Sequence, residues 1–137
     1  MSYLLDTNIV GELRKGTRCN PVVMDWYRHY AIGTLFISVM TLGEIRKGIE
    51  SSRRKDLAKA HVLERWLKEL ELSFEERILP ISAEIADIWG RFVHRGDVAA
   101  IDGLIAATAA LYGLTVATRN TRDFQRCGVD YINPFEA

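Results

Sequence analysis

Apolar residues in this chain follow two spacings, one typical of short buried strands and one typical of amphipathic helices. Short apolar runs predict strands or extended segments at residues 3–5, 35–39, 77–81, 114–118 and 129–132. Between these runs, apolar residues recur every three or four positions, which predicts helices beginning near residues 7, 21, 41, 55, 82, 98 and 120. Strands separated by helices favour parallel pairing through right-handed crossovers. The pattern therefore predicts an α/β sandwich, with a mostly parallel sheet and helices on both faces.

Composition and charge narrow the class of protein without changing this fold. With 48% hydrophobic and 26% charged residues, the chain has the composition of an ordinary globular domain. We expect residues 1–137 to form a single domain, because no segment has the composition of a linker. Eighteen basic and eighteen acidic residues balance to zero. That balance argues against a protein that coats nucleic acid through bulk charge, but it is compatible with an enzyme that acts on RNA at a local site.

Cysteine and histidine spacing indicates neither a disulfide framework nor a zinc site. Cys19 and Cys127 stand alone and far apart, and His29, His61 and His94 have no metal-ligand spacing. No apolar run approaches the ~20 residues that a membrane span needs, and the N-terminus lacks the features of a signal peptide. We therefore expect a protein of the reducing cytoplasm with no membrane partner.

Acidic residues follow the predicted strands, at the edge where open α/β sheets bind ligands. Asp6 comes directly after the first strand, and Glu44 lies about one turn into the helix after the second. Asn120 and Asp123 follow the fourth strand. Asp102 stands near the start of the alanine-rich helix that precedes this strand. These residues are the candidates for a functional site.

Each candidate also has a structural explanation. Asp6 is suited to cap the first helix, and Asp102 to interact with a helix dipole. The segments 41–44 (TLGE) and 120–123 (NTRD) both match a capping box, in which Glu44 and Asp123 would bond back to the start of their own helices.

Three features favour a shared site over separate capping roles. Asp102 lies among apolar and small residues, where an unpaired carboxylate is costly to bury. The candidates all lie near helix N-termini that can face one crevice, and no cluster of Lys or Arg accompanies them. Crowded carboxylates either take up protons or bind a cation. Oxygen ligands without His or Cys suit Mg²⁺ or Mn²⁺, and the corresponding chemistry is phosphodiester hydrolysis.

The order of these motifs resembles the PIN-domain family over residues 4–135. The opening half is similar in LLDTN at 4–8 and ISVMTLGE at 37–44, and the closing half in IDGLIAATA at 101–109 and VATRNTRDF at 116–124. The ending NPF at 133–135 also matches. Within the family, the chain resembles VapC-type toxins of toxin–antitoxin pairs.

The resemblance implies a three-layer PIN-like sandwich and Mg²⁺-dependent cleavage of RNA. It also implies a homodimer and a cognate antitoxin that itself binds DNA. Carried over residue by residue, it makes Asp6 and Asp102 the main metal ligands and Glu44 the third acid. The fourth position stays open between Asn120, where many relatives have an acid, and Asp123. Thr7, Ser38 and Thr118 would supply hydroxyls that orient the carboxylates.

Other classes fit the residues less well. A haloacid-dehalogenase phosphatase needs an acid at residue 8, where this chain has Asn8, and a receiver domain needs further acids near its first strand. A non-catalytic PIN-like module that binds RNA or protein is the remaining alternative, and retention of at least three acids argues against it. Neither a P-loop nor a G-x-G-x-x-G motif occurs.

Overall fold

A computed structural model describes residues 1–30 and 32–137 of the chain. Over these residues five strands alternate with seven α-helices. The elements are, in chain order, β1 (Tyr3–Leu5), α1 (Thr7–Leu13), α2 (Pro21–Arg28), β2 (Leu35–Ser38), α3 (Val39–Arg53), α4 (Leu57–Phe74), β3 (Ile78–Leu79), α5 (Ala83–Val93), α6 (Ala100–Tyr112), β4 (Thr115–Ala117), α7 (Thr121–Cys127) and β5 (Tyr131–Ile132). The predicted alternation of strands and helices is confirmed.

The strands form one parallel sheet in the order β3-β2-β1-β4-β5. β1 lies at its centre, where Leu4 is in register with Phe36 of β2 and Val116 of β4. The chain therefore leaves the sheet at the same edge after each of these three strands. The residues that follow β1, β2 and β4 are consequently neighbours in space.

Helices cover both faces of the sheet, as a three-layer sandwich requires. Along β1, Tyr3 and Leu5 face one layer and Leu4 faces the other, because successive side chains of a strand point in opposite directions. The first layer draws its buried residues from α1 to α4, among them Ile9, Val10, Trp26, Ile45, Ile49, Leu67 and Leu70. The second layer draws on α6 and α7, with Ile105, Ala106, Ala109 and Phe124. The predicted PIN-like three-layer fold is confirmed.

The start of α6 packs closely against α5 at Gly103. A Cβ atom at this position would lie 2.5 Å from Cγ1 of Val93 and 3.2 Å from Cδ1 of Trp89, so only glycine fits without movement. The indole of Trp89 also donates a hydrogen bond to the carbonyl oxygen of Ala100, at 3.0 Å. These contacts fix the first turn of α6, which carries Asp102.

Two predicted helix starts differ from the structure. α3 begins at Val39, two residues before the predicted Thr41, because the hydroxyl of Ser38 accepts a hydrogen bond from the backbone N–H of Met40. α6 begins at Ala100, two residues after the predicted start, since Ala99 still has an extended backbone. In both cases the apolar spacing locates the helix, and the local backbone at its first turn sets the boundary.

Among the described helices, none combines the length and apolar character needed to cross a membrane.

Candidate acidic site

Asp6 lies buried where β1 ends beside β4. Asp6 is only 4% exposed, and its backbone N–H donates to the carbonyl oxygen of Ala117, at 2.9 Å. The hydroxyl of Thr118, the residue after β4, donates to Oδ2 of Asp6 at 2.8 Å. The backbone N–H of Thr7 donates to Oδ1 at 2.8 Å. Asp6 therefore does cap α1, and its two oxygens are oriented at the same time.

Asn8 completes the hydrogen bonds around Asp6, a role that the sequence reasoning missed. Its Nδ2 donates to Oδ2 of Asp6 at 3.2 Å, and its Oδ1 accepts from the backbone N–H of Arg119 at 3.1 Å. Asn8 thus ties the end of β1 to the loop after β4. The only indication in the sequence is its place in the motif LLDTN, because the partner at 119 is remote along the chain.

Glu44 faces α1 from α3 and does not form the capping box considered for residues 41–44. The hydroxyl of Thr7 donates to Oε1 of Glu44 at 2.5 Å and lies 3.4 Å from the hydroxyl oxygen of Thr41. Because α3 already begins at Val39, Thr41 is inside the helix and is fully buried. Glu44 is therefore directed toward the Asp6 end of α1 rather than toward its own helix terminus.

The side chain of Asp123, on α7, reaches the start of α6. Its Oδ2 accepts from the backbone N–H of Ala99 at 3.1 Å, and its carboxyl group is near enough to that of Asp102 to raise the pKa of Asp102. The capping box considered for residues 120–123 does not form. The Asn120 side chain does not cap α7, and its backbone N–H instead donates to the hydroxyl of Thr118 at 3.0 Å.

The carboxyl groups of Asp6, Glu44, Asp102 and Asp123, together called the acidic cluster here, influence one another electrostatically. Partial burial, the hydrogen bond to Asp123 and the charges of the other three acids raise the pKa of Asp102 to about 7. Burial also raises the pKa of Asp6, and Glu44 adds to the effect, while the hydrogen bonds from Thr118, Thr7 and Asn8 oppose it. The four acids proposed from the sequence are thus close enough to one another to affect the pKa of Asp6 and of Asp102.

No basic side chain among the described residues pairs with the acidic cluster. Within the part of the chain that is described, none of the ion pairs includes any of its four acids. Over the same residues, no three His, Cys, Asp or Glu side chains already stand close enough together to hold an ion. Ser38, expected to orient a carboxylate, caps α3 by accepting a hydrogen bond from the backbone N–H of Met40.

The chemistry of the donor set nevertheless fits a small divalent cation. The four acids offer carboxylate oxygens, and the hydroxyls of Thr7 and Thr118 donate hydrogen bonds to two of them, Glu44 and Asp6. Oxygen-only sites suit Mg²⁺ and Mn²⁺. A divalent charge would also oppose the burial and the neighbouring negative charges that raise the pKa of Asp102.

A parallel three-layer sandwich with an acidic cluster at the carboxyl edge of its central strands defines a class of α/β protein with an oxygen-rich site. The family model of the PIN domain matches residues 3–129 of the chain. The chain belongs to the PIN-domain family.

Several relatives match nearly the whole chain. The VapC ribonuclease Y4jK of Sinorhizobium fredii is 34% identical over 97% of this chain and 97% of its own length. Toxin FitB of Neisseria gonorrhoeae is 34% identical over 96% of this chain and 97% of its own length.

Solved structures share the fold at similar coverage. The crystal structure of FitAcB from Neisseria gonorrhoeae superimposes with a TM-score of 0.87 at 33% identity, covering 98% of this chain and 99% of that one. FitAB bound to an IR36 DNA fragment gives a TM-score of 0.84 at 32% identity, over 97% and 95%. A toxin–antitoxin complex from Klebsiella pneumoniae gives 0.72 at 26% identity, over 97% and 98%.

Proposed function

We propose that this protein is an Mg²⁺-dependent endoribonuclease and the toxin of a toxin–antitoxin pair. The observation that carries the proposal is the acidic cluster, in which four carboxyl groups, at the start of α1 and on α3, α6 and α7, influence one another electrostatically without a basic partner among the described residues. Two relatives, a VapC ribonuclease and a toxin, support the same activity for this chain. We propose the cytoplasm as its location, where both cysteines would remain free thiols.

In this proposal the acids act as oriented ligands. Asp6 presents a carboxylate whose direction is set by three hydrogen bonds, so little freedom is lost when a cation binds. The other acids lie on different helices, Glu44 on α3, Asp102 on α6 and Asp123 on α7. Asp123 is near enough to Asp102 to raise its pKa. When bound, Mg²⁺ or Mn²⁺ supplies Lewis-acid stabilisation of the phosphate and activates water. The protein's part is to hold these carboxylates in position, and the charge of the bound cation would offset the burial that raises the pKa of Asp6 and Asp102.

Cleavage of total bacterial RNA by the purified protein tests the activity. We expect fragments in the presence of Mg²⁺ or Mn²⁺, none in EDTA, and recovery when the ion is restored. Asp6→Asn, purified in the same way, controls for contaminating nuclease and should be inactive. Cleavage that persists in EDTA, or that Asp6→Asn retains, would refute the metal mechanism. RNA binding without cleavage would instead favour a non-catalytic module.

An apolar groove of about 320 Å³ between α1, α2 and α4 supports an antitoxin partner. Its apolar lining includes Leu13, Tyr27, Trp66 and Phe74. Arg14 adds a positive charge to the lining and Glu69 a negative one. An amphipathic segment with apolar anchors suits such a groove. We therefore propose that it receives a segment of the antitoxin, which also binds DNA, while the toxin forms a homodimer.

Co-purification with the product of the neighbouring gene tests this partner. Trp66→Ser and Glu69→Lys should weaken capture, and Arg65→Ala should not, because Arg65 lies on the same helix outside the groove. Capture that is equal for all three variants would refute the groove as the docking surface. Light scattering after size exclusion tests the homodimer, and a monomeric mass would refute it.

A further inference from the structure

Arg119 is anchored at the rim of the acidic cluster through its backbone. The preceding residue, Thr118, donates to Asp6 at 2.8 Å. The backbone N–H of Arg119 itself donates to Oδ1 of Asn8 at 3.1 Å, and Asn8 donates in turn to Asp6. The start of the Arg119 side chain is therefore held at a fixed place relative to Asp6.

The guanidinium of Arg119 stacks on the ring of Phe135. Its Cζ lies 4.3 Å from the ring centroid. The ring is itself held, because Phe135 packs against the first layer of the core and its backbone N–H donates to Oδ1 of Asn133, at 3.0 Å. Stacking leaves the N–H donors directed around the edge of the guanidinium, where they can bind a further group. The cation is thus preorganised rather than free to sample many rotamers.

No acid in the described residues takes up this cation. Arg119 is exposed and forms no ion pair there. Glu12 is close enough to feel its charge, but the oxygens of Glu12 already accept from Lys15 Nζ at 2.9 Å and from the backbone N–H of Asn20 at 2.8 Å. By contrast, Arg46 and Arg53 are both held by Glu50 and Glu64.

We propose that Arg119, held on Phe135, binds a phosphate of the RNA strand beside the acidic cluster. The proposal rests on the proposed function, because the cluster must first be the cleavage site. A polyanion approaching four carboxylates is repelled, and a chain of zero net charge offers no bulk attraction to offset this. A guanidinium held on Phe135, on a residue whose backbone is anchored beside the cluster, supplies the attraction locally with a planar fork that matches phosphate oxygens.

Steady-state cleavage of total bacterial RNA, with binding of a fluorescein-labelled single-stranded RNA measured in parallel, tests Arg119. Arg119→Ala should raise KM about tenfold and leave kcat within about twofold, because a contact made equally in ground and transition states affects KM alone. The slope of log Kd against log salt should fall by about 0.7, the value for one phosphate contact on a single strand. Arg119→Lys should lie between the parent and Arg119→Ala.

Two further variants separate position from charge. Phe135→Leu keeps an apolar side chain but removes the stacking surface, so it should raise KM less than Arg119→Ala and add little when combined with it. Arg65→Ala removes the same charge from an exposed arginine of α4 and should behave like the parent.

Several outcomes would overturn the proposal. An unchanged KM and salt slope in Arg119→Ala would do so, as would a loss confined to kcat, which would assign the residue to the chemical step. Normal RNA binding with impaired capture of the neighbouring gene product would assign Arg119 to a protein partner instead. A parent protein that cleaves no RNA is a different result, because it refutes the proposed function itself.

Discussion

Asp102→Asn should make the metal-free protein more stable at neutral pH while abolishing its activity. The pKa of Asp102 is raised from 3.8 to about 7, chiefly by burial and by the hydrogen bond to Asp123. The folded state therefore binds a proton more tightly than the unfolded state between these pH values. Stability contributed by this group is fully present below pH 3.8 and is lost as the pH rises through about 7.

The size of the effect follows from the same shift. A fully shielded carboxyl with this pKa would lose about 4 kcal/mol of folding free energy on ionisation. Asp102 is only partly buried, so solvent screens its charge and we expect about 2 kcal/mol. For a domain of this size, 2 kcal/mol corresponds to a rise in Tm of roughly 6 °C. Asparagine keeps a similar shape and can still donate to Asp123.

Thermal unfolding in EDTA at pH 5 and pH 8, with and without added Mg²⁺, measures this prediction. We expect the advantage of the variant at pH 5 to be about half of that at pH 8 or less. Saturating Mg²⁺ should raise the Tm of the parent more than that of the variant, because the ion binds the folded carboxylates. RNA cleavage by the variant should fall by several orders of magnitude. A variant that is less stable than the parent at both pH values would show that the carboxylate is a structural partner, and would refute this reasoning.

The remaining predictions concern the fourth acid and the packing behind the site. Asp123→Ala should reduce RNA cleavage more than Asn120→Ala, chiefly at limiting Mg²⁺, and equal activity of Asp123→Ala and the parent would count against a role for that acid. Gly103→Ala should lower the Tm by several degrees, since overpacking against Val93 costs about 1–3 kcal/mol and helix propensity recovers at most about 1. Gly90→Ala, with open space at its Cβ position, is the matched control and should leave the Tm unchanged or raised.

Much of the fold was predictable because the interactions that specify it are local in sequence. The apolar run at residues 35–39 and the helical spacing that follows it are properties of adjacent positions, and the structure has β2 and α3 there. The same holds for Asn20, whose side chain accepts from the backbone N–H of Val22 as an N-cap, with Pro21 as the first helical residue.

The capping boxes considered for residues 41–44 and 120–123 failed for the opposite reason. Local spacing allows each acid to bond back to its own helix, but tertiary contacts offer a nearer donor. Glu44 takes the hydroxyl of Thr7, 37 residues away, and Asp123 takes the backbone N–H of Ala99, 24 residues away. A sequence pattern can indicate only a hydrogen-bond donor that lies nearby along the chain.

By itself, the sequence determined the alternation of strands and helices, the parallel sheet, the acids at its edge and the family. The order of the strands was decided only by tertiary structure, since short strands with similar apolar sequences do not indicate which strands pair with each other. So was the choice of hydrogen-bond partner at each acid. Thr118 orients Asp6 from 112 residues away, because β1 and β4 pair at the centre of the sheet and bring their carboxyl ends together.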